Sequence, residues 1–230
     1  MTTLVDAFED VCKMDAPLNE RLAAYTETLR ELNFPFAEAY DDLVARLQAG
    51  EVGAMAPGVG DPMPPFILPA HTGRLVSLEE ILRLGPAVIS FNRGHWCPYC
   101  KIELRTIASH QKEIAAHGGQ LVSILPDRQQ FVHRLPEDIL DNFIILTDVD
   151  NGYALSLGLV IWLGEHIASL MEGRGYRLSE YQGNDGWFVP LPATFVVGPD
   201  GRVIARQVDP EIRRRMEIED IIAALKSVQD

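Results

Sequence analysis

Long apolar runs are missing from this chain. No uninterrupted stretch approaches the ~18 residues that read as a transmembrane helix, which argues against a helical membrane protein. Basic charge is scarce too: 20 lysines and arginines stand against 33 aspartates and glutamates, a formal net charge of −13. That deficit argues against nucleic-acid partners and against an anionic membrane surface, since both need clustered positive charge. Cysteine is scarcer still. Three cysteines in 230 residues are too few for a disulfide scaffold. A structural zinc site needs about four ligands. The one Cys-x-x-Cys pair has no second pair to join it, and His71, His95, His110 and His117 show no complementary spacing. No basic-then-apolar leader opens the chain, because Met1-Thr2-Thr3-Leu4-Val5-Asp6 turns acidic early. The expectation is a cytoplasmic protein with neither metal nor cofactor.

What is present suffices for a full core, since 47% of the residues are hydrophobic. The first fifty residues carry apolar side chains at helical spacing: Leu4, Phe8, Val11 and Cys12, then Leu18, Leu22, Tyr25 and Leu29, then a stretch from Ala37 to Leu47. They read as two or three helices, an extension over residues 1–52. Residues 53–65 hold four glycines or prolines within Pro57-Gly58-Val59-Gly60-Asp61-Pro62 and Pro64-Pro65 beyond, too many for regular structure, and read as a linker. From residue 66 to 230 strands alternate with helices. Ile67-Leu68 and Leu75-Val76 form a hairpin, Ser77 caps a short helix, and Ala87–Phe91 and Leu121–Leu125 read as buried strands. Phe143–Leu146 reads as another strand, and Ala193–Val197 and Val203–Ala205 flank a Gly-Pro-Asp-Gly turn. One helix is expected from Pro98 to the stop at Gly118-Gly119, and a last one over Ile218–Leu225. The fold class is α/β, a mixed sheet flanked by helices.

Trp96-Cys97-Pro98-Tyr99-Cys100-Lys101 lies between the strand ending at Phe91 and the helix opening at Pro98. A helix N-terminus presents unpaired N–H groups and partial positive charge, which favour thiolate over thiol. A thiolate attacks disulfides and peroxides alike. Cys97 therefore reads as the nucleophile and Cys100, one helical turn on, as the resolving thiol. Cys12 reads as a core residue of an amphipathic helix.

Several further segments accompany this junction. They are Gly60-Asp61-x-x-Pro64-x-Phe66, the run Ser90-Phe91-Asn92-Arg93-Gly94-His95 before the cysteines, Glu103-Leu104-Arg105, Pro192-Ala193-Thr194-Phe195-Val196 and Val208-Asp209-Pro210. In order and spacing the set resembles the peroxiredoxin-like branch of the alkyl hydroperoxide reductase/thiol-specific antioxidant family, over roughly residues 58 to 228. The Cys-Pro-Tyr-Cys pair alone also resembles glutaredoxin.

The resemblance implies a thioredoxin-like fold and a thiol-dependent oxidoreductase. Hydroperoxides or protein disulfides would be its substrates, with a thioredoxin-type dithiol as reductant; a redox-sensing domain is the non-enzymatic alternative. The resemblance further implies a cis Pro192 beside the cysteines and a Trp96 that shields the sulfur. Arg93 would stand beside the pair, either supplying positive charge or solvated at the surface. Two positions depart from the family: Ser90 stands where a proline precedes the nucleophile, and Gly94 where Thr or Ser supplies a hydroxyl. The N-terminal helices leave room for a homodimer.

Overall fold

The computed structural model describes residues 3–228. Three helices come first: α1 (Leu4–Lys13), α2 (Leu18–Glu31) and α3 (Phe36–Ala49). Thr3 caps α1 through a reciprocal hydrogen-bond box with Asp6. Pro17, before α2, offers no side-chain oxygen. The Glu217 carboxylate, nearly two hundred residues on, accepts from Leu18 N–H at 2.8 Å and Asn19 N–H at 3.0 Å instead. A carboxylate at a helix N-terminus satisfies free donors and complements the dipole. Arg21 does the converse for α1. Its guanidinium donates to the carbonyls of Val11 and Cys12, and also to Thr106 Oγ1 at 2.8 Å.

Residues 53–65 contain no helix or strand, yet they are fixed. Gly60 N–H donates to Val203 O, Met63 N–H to Gly201 O, and Val203 N–H to Asp61 O, so the segment lies along a later strand. The hairpin β1 (Ile67–Pro69) and β2 (Leu75–Ser77) follows, then α4 (Leu78–Leu82), capped by Ser77, and β3 (Ala87–Phe91). Next come α5 (Pro98–Ser109), α6 (Gln111–Ala116), β4 (Gln120–Leu125), α7 (Gln129–Val132), α8 (Glu137–Leu140) and β5 (Ile144–Thr147). A 3-10 turn leads into α9 (Gly152–Ser156), β6 (Val160–Trp162), α10 (Glu165–Glu172), α11 (Leu178–Gln182) and β7 (Phe188–Pro190). The chain closes with β8 (Ala193–Val197), β9 (Val203–Val208) and α12 (Ile218–Lys226).

The single helix expected from Pro98 to Gly118 is two helices, broken at His110. Ser109 Oγ donates to the Thr106 carbonyl at 2.7 Å, and His110 Nδ1 lies 2.9 Å from the same oxygen. Side chains have taken an acceptor that the next backbone N–H would use, and the helix tightens and turns there.

The main sheet runs β5-β4-β3-β8-β9. β3, β4 and β5 are parallel, whereas β8 is antiparallel to β3 and β9 to β8. β3 is buried at every residue and its side chains alternate between two cores. Ala87, Ile89 and Phe91 face the cluster shared with the N-terminal helices, and Val88 faces the one shared with α6 and α12. That period of two is how a strand covered on both faces packs. α1 and α2 lie against α5, which places the N-terminal helices directly over the start of the cysteine helix.

Candidate functional site

The site forms where β3 and β4 end. Asn92, the first residue after β3, ties the loop to both strands: its side-chain amide donates to Ser90 Oγ at 3.0 Å and Ser123 Oγ at 3.1 Å. Gly94 passes at φ +135°, and a Cβ built on it would lie 2.6 Å from Trp96 Nε1 and 3.0 Å from Asp127 Oδ1. Only glycine fits that conformation and that space. The hydroxyl usual in the family at this position therefore has no room here. His95 is held by Asp127, whose Oδ2 accepts from His95 N–H at 2.6 Å and lies 2.9 Å from His95 Nδ1. The His95 imidazole is thus committed to a buried carboxylate, not aimed at the cysteines.

Cys97 is the N-cap of α5, and Pro98 occupies the first turn, where a missing N–H goes unnoticed. Cys97 Sγ accepts from Cys100 N–H at 3.4 Å and from Arg93 Nη2 at 3.1 Å. Burial alone would push the Cys97 thiol up. The Cys100 thiol, the Arg93 guanidinium and the Cys100 N–H together outweigh it and hold Cys97 well below the ordinary thiol range. Burial, reinforced by the neighbouring Cys97, pushes Cys100 the opposite way. One sulfur is thus held as thiolate and the other as thiol. All three cysteines are free, and Cys12 is half-buried on α1 with its thiol pushed up by burial.

Arg93 is not a solvated surface group. It is fully buried, with its guanidinium carbon 5.1 Å from the centroid of the Tyr40 ring and 5.8 Å from that of Trp96. An arginine in that position keeps its charge through the thiolate it faces and the two π-faces. Nη2 is spent on Cys97, while Nε and Nη1 are buried with no hydrogen-bond partner. Trp96 packs beside Arg93 and edge-on to Tyr176 at 6.3 Å.

Pro192 is buried at the start of β8. Ala193 pairs with Phe91, which puts Pro192 at the sheet end from which the Asn92–Trp96 loop departs. Its peptide bond is trans, not the expected cis, as are all bonds among the described residues. The chain runs on extended here. β7 ends at Pro190, Leu191 N–H donates to Leu159 O, and β8 begins two residues later, a path that a trans bond carries without a turn.

Beneath the pair lies a polar network whose pairings the sequence did not expose. Glu103, one turn beyond Cys100 on α5, accepts from Thr194 Oγ1 at 3.0 Å and Ser90 Oγ at 3.3 Å, and from Arg215 Nε at 2.8 Å. Both Glu103 and Arg215 are fully buried, and burial pushes the Glu103 carboxyl up against the pull of Arg215. Ser90, the family's proline position, is thus part of this network. The Arg213-Arg214-Arg215 run in an acidic chain was the available signal for Arg215. Tyr25 and Tyr40, from α2 and α3, meet the Tyr99 ring edge-on at 5.3 and 6.1 Å, and had no signal beyond helical spacing. No group of three His, Cys, Asp or Glu side chains among the described residues could hold a metal ion.

A parallel-antiparallel sheet that presents a helix-capping thiolate, with a second thiol one turn on, defines a thioredoxin-fold thiol oxidoreductase. The model of the AhpC/TSA family matches residues 59–206, and the chain belongs to that family. It is a peroxiredoxin-like thiol enzyme. Solved structures share the fold at low identity. Peroxidoxin BcpB from Mycobacterium tuberculosis is 21% identical with a TM-score of 0.58, covering 76% of this chain and 99% of that one. A cysteine-to-serine mutant of peroxiredoxin 6 from Arenicola marina is 18% identical with a TM-score of 0.58, covering 75% and 73%. A yeast mitochondrial 1-Cys peroxiredoxin, described for thiol resolving via glutathione/thioredoxin systems, is 16% identical with a TM-score of 0.57, covering 75% and 76%. A comparison with curated proteins gives no match. No helix among the described residues is long and apolar enough to cross a membrane.

Proposed function

We propose that the protein reduces hydroperoxides through Cys97, with Cys100 as the resolving thiol. The observation that carries this reading is Arg93, which donates to Cys97 Sγ and keeps two further buried donors unpaired beside it. Donors in a water-free site, aimed where charge develops on a peroxide oxygen, stabilise the transition state without reorganising. In the first step the Cys97 thiolate attacks the terminal peroxide oxygen. The S–O bond forms, the O–O bond breaks, and the leaving oxygen takes a proton to become an alcohol or water. The Cys100 thiol then loses its proton and attacks the sulfenic sulfur, forming the Cys97–Cys100 disulfide and releasing water. An external dithiol of the thioredoxin type returns two electrons and two protons. A reducing compartment such as the cytoplasm keeps the free thiols ready between cycles.

Exchange with protein disulfides would use the same two thiols, but Cys97 has no exposed surface, which favours a small first substrate. Stopped-flow oxidation of the reduced protein by hydrogen peroxide, an organic hydroperoxide and a model disulfide separates the two reactions. The reading requires fast oxidation by a peroxide that disappears in Cys97→Ser and persists for one turnover in Cys100→Ser. Oxidation by the disulfide alone would replace it with the exchange reaction.

A further inference from the structure

Two buried arginines stand near the cysteines, and they differ in what balances their charge. Arg215 faces the Glu103 carboxylate at 2.8 Å. Arg93 faces no carboxylate: its Nη2 donates to Cys97 Sγ at 3.1 Å, and its Nε and Nη1 have no partner. The groups that hold the Arg93 charge are Cys97, Tyr40 and Cys100. Burial pushes the Tyr40 phenol and the Cys100 thiol up, so both stay neutral. That leaves the Cys97 thiolate as the one counter-ion of a fully buried guanidinium. The balance lasts only while Cys97 carries its charge. In a Cys97–Cys100 disulfide both sulfurs are neutral, whereas the guanidinium keeps its proton. A buried charge without a partner is costly. The disulfide offers little in return, because a cross-link restrains the unfolded chain less the shorter the loop it closes. Only Pro98 and Tyr99 lie between these two cysteines.

We propose that Arg93 makes Cys97–Cys100 a strongly oxidising pair, whose disulfide lowers the stability of the fold instead of raising it. The proposal rests on the reading of Cys100 as the resolving thiol and is independent of the oxidant. A dithiol–disulfide pair is a strong oxidant when its reduced form is the stabilised one. Here the stabilising contact is the Arg93–Cys97 bond, which exists in full only in the reduced form. The step that closes the cycle therefore runs strongly one way. A thiolate of the dithiol reductant attacks one sulfur of the pair and the Cys97–Cys100 bond breaks. The reductant's second thiol then displaces the mixed disulfide and leaves the reductant oxidised. Two electrons pass to the pair. Cys97 is released as thiolate, Cys100 keeps one of the reductant's two protons, and the other goes to solvent. The disulfide of this chain is thus a transient state. The reaction that must follow is one that reduces the reductant's own disulfide.

The test equilibrates the full-length protein, without peroxide, in glutathione buffers of graded thiol-to-disulfide ratio. Acid quenching, alkylation and peptide mass spectrometry then count the Cys97–Cys100 disulfide. Arg93→Met should move the equilibrium about 10- to 100-fold toward the disulfide, the order of a hydrogen bond to a charged group. Arg93→Lys keeps the charge and should move it less than Arg93→Met. Thermal unfolding reads the same quantity independently. The oxidised native protein should melt below the reduced one, and in Arg93→Met the order should reverse. Each variant is compared with itself in its two redox forms, so a general loss of stability cancels. An oxidised native protein that melts above the reduced one overturns the proposal, as does an equilibrium that Arg93→Met leaves within about 2-fold; both spare the resolving role of Cys100. A lysine variant that shifts as far as the methionine one overturns the charge argument. Absence of a Cys97–Cys100 disulfide at every buffer ratio overturns the resolving role and the proposal together.

Discussion

Residues 59–206 and the segments flanking them contribute to the site in different ways. The family-matched part supplies both sulfurs, Arg93, Trp96 and Glu103, all within one loop and one helix. The flanks supply what surrounds them: Tyr25 and Tyr40 against Tyr99, Thr26 on the Tyr99 hydroxyl, Arg21 on Thr106, and Arg215 on Glu103. The depressed pKa of Cys97 is a local property, set by its neighbour Cys100, a helix N-terminus and a guanidinium four residues before it. Coverage is long-range. The contrast teaches that a short motif can set the charge state of one atom, while elements distant in the sequence cover it.

The flanks are held most strongly at Arg215, and removing it should give the largest effect. Arg215→Met leaves Glu103 buried without its counter-charge, and breaking a buried pair from one side costs about 3–5 kcal/mol. Chemical denaturation checks this. The double variant Arg215→Met with Glu103→Leu should recover part of the loss, since it leaves no lone charge inside; equal instability in the single and double variants would mean that the pair itself stabilises little.

Within the matched part, Arg93→Met should lower the rate of Cys97 oxidation about 100- to 1,000-fold, the usual effect of removing a preorganised donor. The pH profile gives the sharper reading. A thiolate reacts above its pKa, and that of Cys97 is depressed, so the native rate should stay flat from pH 8 down through neutrality. Without the guanidinium the thiol titrates higher, and the rate should fall as pH drops from 8.5 to 6. Arg93→Lys should restore part of the flat region. A uniform loss at every pH would assign Arg93 to the peroxide oxygens alone.

Gly94 sharpens the comparison within the loop. Gly94→Thr restores the hydroxyl common in the family, yet should lower both stability, by about 1–3 kcal/mol, and activity, because φ +135° and the Trp96 indole leave no place for a side chain. Thermal unfolding and peroxide kinetics on the same sample check it; a gain in rate would show that the loop can rebuild itself.

The legibility of these features in the sequence follows their range. The strand before Cys97, the Pro98 start of α5 and the β8–β9 hairpin are written in contiguous residues, and so were readable. The break at His110 was not, because it arises from two side chains competing for one carbonyl. Arg93 could be named but not placed, since a buried arginine and a surface one look alike until Tyr40 and Trp96 are seen on either face. The trans Pro192 departs from expectation for a similar reason. Its geometry is set where the chain passes from β7 in the small sheet to β8 in the main one, a path that the Pro192-Ala193-Thr194 motif does not contain. Glu103 with Arg215, 112 positions apart, is a pairing that no local pattern announces.

The smallest expected effect lies at the seam between the two regions. Thr26 Oγ1 donates to the Leu22 carbonyl at 2.9 Å, so in its 3.0 Å contact with Tyr99 the tyrosine must be the donor. Both residues are buried. Thr26→Val keeps the shape and removes the acceptor, stranding the Tyr99 hydroxyl at a cost of about 1–2 kcal/mol. Tyr99 stands between the two cysteines in the sequence, yet its hydroxyl is engaged by Thr26 of α2. Thr26→Val should therefore lower the denaturation midpoint and leave the oxidation rate of Cys97 within about 2-fold, with Thr26→Ser returning stability to the native value. If instead the rate falls as far as it does in Arg93→Met, α2 does more than cover the site: it sets the position of the Cys97–Cys100 turn, and the division between local reactivity and distant coverage no longer holds.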